Sequence, residues 1–598
     1  MRHKKQPKRV DGTNRPDGPN RVDGPNRIDR RSFLNTLGVS AGIAATLPAI
    51  SVLSEVTAQA DDIGPQGGRA RAERAEEVRR RALEAEGEVP IPRHDDNGDE
   101  ARYPNKIGNY SKNLKHDPST GEVDSKAYAA LNAAISSGRF NDFEELATNG
   151  HFGSADPTLQ RRLVNPGSGY AFDLEGTDSH QLDLPPAPRF ASARQAGEMT
   201  ELYWMALLRD VNYADYNENA MVASAASDLS KLSDFHGPKA GGVVTPQTLF
   251  RDSYPGCTIG PYISQFLLQP VNFGSQRIDT RMAAVAPNVD YMTTFASWLD
   301  VQNGVNTPNI PTIGSYVYCR NGRDLTHYVN IDALFEAYFV SCLNLLSNSC
   351  PANIGNPYGR MMDGGAGRPR NAALDPNGSL AQVGFGTFGG PACLTMGCEP
   401  ATRALKDVWY QKWLVHRRLR PEEFGGRVQV LSAGGAHYPI HSDLTHTSEV
   451  LNHVFTQTGT YLLPMAFPEG SPNHPSYGSG HATVAGACVA MLKALFDENH
   501  ILPNPVVPNP ADGGQSLIPY VAPAGEPPLT VGGELNKVVS NISQGRNAAG
   551  VHWRSDASES NVLGEAATIS MLRDVRRTYS EPFNGFTFTK FDGTTITV

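Results

Sequence analysis

Apolar residues recur at helical spacing along most of this chain, and almost nowhere do they alternate as they would in a strand. The helical period is visible over residues 126–137, 192–211, 291–301, 331–346, 402–417, 448–460, 480–496 and 558–578. Stripes of this kind must bury against one another, so the body is expected to be all-α, built of packed helical bundles. The 58 glycines and 44 prolines add long ordered loops between the helices. Minor β-hairpins complete the expectation, one of them over residues 587–598 around Asp592-Gly593.

The chain divides into three parts by composition. Residues 1–60 hold a six-residue Asp-Gly/Asn-Arg repeat over 10–27, which buries nothing. After it come Asp29-Arg30-Arg31-Ser32-Phe33-Leu34, a mild apolar run over 38–53, and Ala58-Gln59-Ala60. That order reads as a twin-arginine export signal, giving a periplasmic or secreted protein. Residues 61–125 form a charged extension, with a solvated helix over 70–86 and polar loops after 94. Residues 126–598 are the helical catalytic body.

Composition also excludes. A net charge of −9 with no Lys/Arg-rich face in the body argues against nucleic acid. The leader carries ten Lys/Arg against five Asp/Glu, so its removal would leave the mature chain at −14. An acidic exported protein with no second long apolar run is not expected on a membrane. Of seven cysteines at least one must be unpaired, and Cys488, inside an apolar helical run, is expected to be a buried thiol. Cys393 with Cys398, and Cys342 with Cys350, are near neighbours, but spacing does not fix a connectivity.

Three elements carry chemistry. Gly478-Ser479-Gly480-His481 precedes the apolar run to Phe496. Glycines and a serine at a helix entry present free N–H groups and the positive end of the dipole to an anion. His481, in the first turn, can move protons there. Next, Arg546 is followed by His552 and Asp556, whose spacing lets the carboxylate hold the imidazole Nδ1–H and leave Nε2 basic. Finally, Lys412 and Arg420 lie eight apart, and Pro421 biases Arg420 out of the helical region, aiming it inward. Arg417 and Arg418 are expected to serve their own helix end. His437, His441, His446 and His453 lack carboxylates or cysteines at ligand spacing and read as loop or interface histidines, not a zinc site.

Together these elements resemble the vanadium-dependent haloperoxidases, which share a pocket with type-2 phosphatidic-acid and bacterial acid phosphatases. The algal bromoperoxidase branch is nearest, through Lys412-Trp-Leu-Val-His416 with Arg420-Pro421, through Pro475 to His481, and through Gly260-Pro-Tyr-Ile-Ser-Gln-Phe266. The resemblance implies two four-helix-bundle cores and one vanadate per subunit, without haem. It implies His552 as the metal ligand through Nε2, and Lys412, Arg420 and Arg546 as the charges around the vanadate oxygens. Ser479 and the Gly480 N–H would hydrogen-bond them, His481 would be the acid–base group, and His474 would handle halide. Asp556 would support His552, and Trp409 stands where the branch varies between an aromatic and a cation. Two positions depart from the pattern: Gly478 replaces a usual proline, which is expected to loosen the loop, and Gly545 replaces a usual serine.

The reaction implied is oxidation of bromide or iodide by hydrogen peroxide to hypohalous acid, which halogenates small organic acceptors, in a homo-oligomer of two or more chains. The same cradle would also suit an acid phosphatase with His552 as phosphoryl acceptor and His481 as general acid. Trp409 and His474 favour the peroxidase.

Overall fold

The computed structural model describes residues 67–156, 158–359, 379 and 381–598. The repeat and export signal expected over 1–60 lie outside the described residues. Two units are distinguished, 1–77 and 78–598, and apart from the first part of one charged helix everything below concerns the second. A charged helix, Gly68–Gly87, has no buried residue.

Helices dominate, as the periodicity requires. Those that matter for the site are α1 (Ala193–Leu207), α2 (Ala220–Ser230), α3 (Gly322–Ile331), α4 (Pro400–Tyr410), α5 (Pro421–Ser432), α6 (Val450–Thr458), α7 (Gly480–Leu495), α8 (Val531–Ala548) and α9 (Arg554–Thr578). Every residue of α7 except His481 is buried. A helix without a polar face must lie inside its bundle, and α4, α8 and α9 pack around it. The α7–α9 contact is backbone to backbone. A methyl group on Gly486 would sit 2.1 Å from the Asn561 carbonyl oxygen, and one on Gly564 would sit 2.0 Å from that of Thr483. A second group gathers on α1, which meets α2, α6 and α8. Ser192 caps α1 by accepting the Gln195 N–H at 3.1 Å.

Strands among the described residues form two-stranded antiparallel pairs only. The expected C-terminal hairpin is one of them, Thr587–Thr589 against Thr595–Thr597 with Phe588 opposite Ile596.

Several expectations are corrected. The helix read over 402–417 stops at Tyr410, and Gln411–His416 continues as a π turn ended by Arg417 at φ +42°. The segment read as one helix over 331–346 is preceded by α3, and Glu336–Ser347 leaves it at 102°. Helix α8 was not legible at all. Gly532, Gly533, Asn536, Ser540 and Asn541 are poor helix formers in isolation, and the helix stands because its residues are almost all buried. Residues 99–125, read as part of a polar extension, are built into the main unit. Tyr110 and Leu114 are buried, and Lys112 pairs with Glu422 at 2.7 Å with both side chains fully enclosed.

Cys488 is a buried thiol, and Cys342 and Cys398 are also free, so neither near-neighbour pair forms a disulfide. No single helix among the described residues is long and apolar enough to cross a membrane; one bent pair, α3 with Glu336–Ser347, passes by length and composition only.

Close approach at α7–α9 predicts that Gly564→Ala destabilises the protein by about 1–3 kcal/mol or more, the usual cost of overpacking. Gly87→Ala, with no atom within 4 Å of the added carbon, should stay within about 0.5 kcal/mol. Urea midpoints of the two variants check this; equal midpoints would contradict the packing assignment.

Candidate active site

The start of α7 is built as an anion cradle. Ser479 is its N-cap, with Oγ accepting the Ala482 N–H at 3.3 Å. The Gly480 and His481 N–H groups open the helix without intrahelical acceptors. Gly480 lets this end approach Trp409, whose ring would lie 3.1 Å from an added Cβ. The Ser479 N–H is held by Ser560 Oγ at 2.8 Å.

His552 stands opposite, just before α9. Its Nδ1 lies 2.9 Å from Asp556 Oδ2, and its Nε2 lies 3.0 Å from the Arg420 guanidinium. A carboxylate on Nδ1 and a donor on Nε2 fit one assignment: Nδ1 carries the proton and Nε2 presents its lone pair. Burial, with Arg420 and Lys412 nearby, holds this imidazole well below its ordinary pKa. Asp556 is itself fully enclosed, accepting from Arg418 at 2.8 Å and from the Trp553 N–H at 3.2 Å, with a short bond from Ser476.

Three buried cations surround these histidines, and none is ion-paired among the described residues. Arg420 donates to the carbonyls of His474 (3.0 Å) and Val551 (2.7 Å). Arg546, in the last turn of α8, donates to the Val329 carbonyl at 2.6 Å, and its Nε is buried without a partner. Lys412 donates to the carbonyls of Pro475 and Ser476, both at 2.9 Å, and to that of Gly478. It also lies 5.6 Å from the centre of the Trp409 ring. Burial pushes Arg420 and Arg546 down to about 10. Burial and Arg420 push the Lys412 ammonium well below its ordinary range. An orphaned guanidinium N–H, free helix N–H groups and uncompensated cations are the donor set of a tetrahedral oxyanion.

These groups meet at a cavity of about 280 Å³ lined by Trp409, His474, Gly480, His481, Arg546 and His552, with Arg161, Asn330, Leu334, Leu405, Glu469, Gly470 and Pro472. Lys412, Arg420 and Ser479 stand behind that wall. His481 Nε2 lies 3.2 Å from Asp332 Oδ1. Burial and Arg546 lower the His481 pKa while Asp332 raises it, and the net shift is downward. Burial raises the Asp332 carboxyl, but His481 and Arg546 together leave that pKa lowered. His474 packs on Trp409 with ring centres 4.7 Å apart, its Nδ1 2.9 Å from Arg420.

Comparison with known proteins agrees. Residues 452–581 match the family described as the VCPO second helical-bundle domain. The vanadium-dependent bromoperoxidase of Corallina officinalis is 35% identical over 590 residues, covering 86% of this chain and 94% of its own length. That of Ascophyllum nodosum is 33% identical, over 81% of this chain and 86% of its own. This chain belongs to the vanadium-dependent bromoperoxidase family. In structure, the homohexameric second vanadate-dependent bromoperoxidase of Ascophyllum nodosum matches with a TM-score of 0.79 at 30% identity, covering 88% of this chain and 90% of that one.

As a haloperoxidase, the chain brings its candidate site residues to one place, but two expectations are corrected. Arg418 does not serve a helix end; it is fully buried against Asp556, Glu198, Ser555 and Gln195. Arg417 does bond the carbonyls of Trp413 and Leu414, both at 3.2 Å. Gly478 does not free its loop: a Cβ there would lie 2.0 Å from Ser560 Oγ, and its carbonyl is bound by Lys412. Gly545 lets α8 approach α3, where an added Cβ would touch Leu325 and Val329 at 3.1 Å. Sequence reasoning missed Asp332, 149 residues from His481, because no local spacing links them. His453 stacks on Trp204 at 5.1 Å and takes no part.

Two variants test this geometry. Arg418→Met leaves Asp556 buried without its charge partner and should cost about 3–5 kcal/mol, read from denaturant unfolding. Asp332→Asn removes a group that raises the His481 pKa, so the imidazole should titrate at lower pH in histidine-labelled NMR spectra; an upward or absent shift would exclude the contact.

Proposed function

We propose that this haloperoxidase holds one vanadate per subunit and uses hydrogen peroxide to oxidise bromide or iodide, releasing hypohalous acid that halogenates small organic acceptors. The observation that carries the reading is the trio of buried, unpaired cations facing His552 and the α7 N-terminus. When bound, vanadate supplies a Lewis acid that makes a peroxide oxygen electrophilic toward halide.

In this reading the protein's part is to hold charge and move protons. His552 offers Nε2 as the ligand, with its tautomer held by Asp556. Arg420, Arg546 and Lys412 balance the oxygens, and the Ser479 hydroxyl and the Gly480 N–H donate to them. Lys412 also pins the 475–478 carbonyls, so it sets the loop's shape as well as the field. His481, whose Nε2–H is held by Asp332, takes a proton from incoming peroxide on its other ring nitrogen, and Asp332 stabilises the imidazolium. His474 and Trp409 form the wall on which halide is received. Export by the twin-arginine route and assembly into a homo-oligomer belong to the same proposal, supported by the leader sequence and by the homohexameric relative.

The test is reconstitution with orthovanadate, followed by peroxide-dependent bromination and iodination, and by phosphate-monoester hydrolysis without vanadate. Halogenation is expected with at least one halide. Phosphatase activity with no halogenation would instead support a phosphohistidine on His552. Asp556→Asn should weaken vanadium retention about 10–100-fold, as loss of a ligand's hydrogen-bond partner usually does, and His552→Ala should abolish it, both measured by metal analysis after gel filtration.

A further inference from the structure

One charged group at the cavity has no part in the scheme above. Arg161 lines the same space as His474, His481 and His552, yet it comes from a segment nearly 250 positions before Trp409. That segment is tied down by main-chain bonds on both sides of the arginine. The Arg161 N–H donates to the Gly304 carbonyl at 2.8 Å, and its own carbonyl accepts from Asn113 at 2.9 Å and Gln160 at 3.0 Å. Three residues on, the Val164 N–H donates to the Asn473 carbonyl at 2.9 Å, Asn473 Nδ2 returns a bond to Arg162 at 3.0 Å, and the Trp409 indole donates to the Val164 carbonyl at 3.0 Å. Residues 161–164 are thus a strap fastened to the immediate neighbour of His474 and to Trp409. Nothing in these bonds uses the Arg161 side chain, which donates only to the Glu469 carbonyl at 3.0 Å and is not ion-paired among the described residues.

Electrostatics gives this side chain a task. A resident oxyanion would engage the deep cations Lys412, Arg420 and Arg546, which surround His552 and the α7 N-terminus. Among the described residues that line the cavity, Arg161 is then the cation left for an entering halide, with Glu469 as the opposing charge. A fixed unit charge in the wall of a partly enclosed cavity changes local ion concentration several-fold. We propose that Arg161 is the halide-recruiting residue of this site, setting apparent affinity for the anionic substrate without touching peroxide chemistry. The proposal rests on the haloperoxidase reading, so its test must not depend on turnover alone.

The chain supplies an optical readout. Of its five tryptophans, Trp204, Trp298, Trp413 and Trp553 are 0–2% exposed, whereas Trp409 is 8% exposed and lines the cavity. Iodide quenches indole fluorescence on contact, so quenching reports halide arrival at Trp409, and Trp409→Phe should remove most of it. In protein loaded with orthovanadate, without peroxide and at low ionic strength, Arg161→Ala should lower the iodide quenching constant about three- to tenfold, and Arg161→Lys should restore most of it. Raising the salt to about 0.5 M should shrink the difference. Repeating the titration with orthophosphate in place of vanadate separates the two readings: a preserved Arg161 effect without halogenation would fail the proposed function but keep the recruitment site. In turnover, the halide KM should rise by the same factor while kcat and the peroxide KM hold. Unchanged quenching in Arg161→Ala, a loss that Lys does not rescue, or an equal rise in peroxide KM would each overturn the proposal. Thermal melts of both variants confirm folding, which the main-chain fastening of the strap leads us to expect.

Discussion

The Asp556 carboxylate is the point on which this site turns. It sits fully buried in the first turn of α9, where a negative charge suits the helix dipole. One oxygen holds His552 Nδ1 and the Trp553 N–H, and Ser476; the other holds Arg418. Its main-chain carbonyl accepts the Ser479 N–H at 3.2 Å. A single residue therefore joins the helix carrying it, the 474–479 loop and the segment that delivers Arg420. Loss of any one of these bonds would leave a buried charge short of a partner, so the pieces stay in register together.

Around that anchor the protein does something folded chains usually avoid, which is to bury cations without carboxylates. Lys412, Arg420 and Arg546 are satisfied only by carbonyl groups and imidazoles. Each such charge is costly in a low dielectric, and the arrangement is reasonable only if an anion completes it. The large bundle pays for this through the extensive core around α7, whose glycines bring α9 to backbone contact.

Much of this was legible in the chain before any coordinates. Strong periodicity located α4, α7 and α9, and the motif residues Ser479, Gly480, His481, Arg546 and His552 converge as their chemistry suggested. The failures have physical causes. Helix α8 and α5 contain paired glycines and polar residues, so their stability comes from burial and not from local preference. Arg417 and Arg418 are adjacent and chemically identical, yet the φ of +42° at Arg417 turns the chain so that only Arg418 faces inward. Asp332 reaches His481, and Arg161 the cavity, through folding alone.

The α7 and α3 ends, described separately above, also act as a pair. His481 stands in the opening turn of α7, where exposed N–H groups resist a positive imidazole. Its Nε2 points to Asp332, at the closing end of α3, where carbonyls and a carboxylate welcome one. The cavity thus lies between opposite helix poles, and the proton on His481 sits on the gradient between them. Small shifts of either helix end would change that proton's affinity without any change of residue, which makes the relative placement of α3 and α7 a means of tuning acid–base behaviour in this fold.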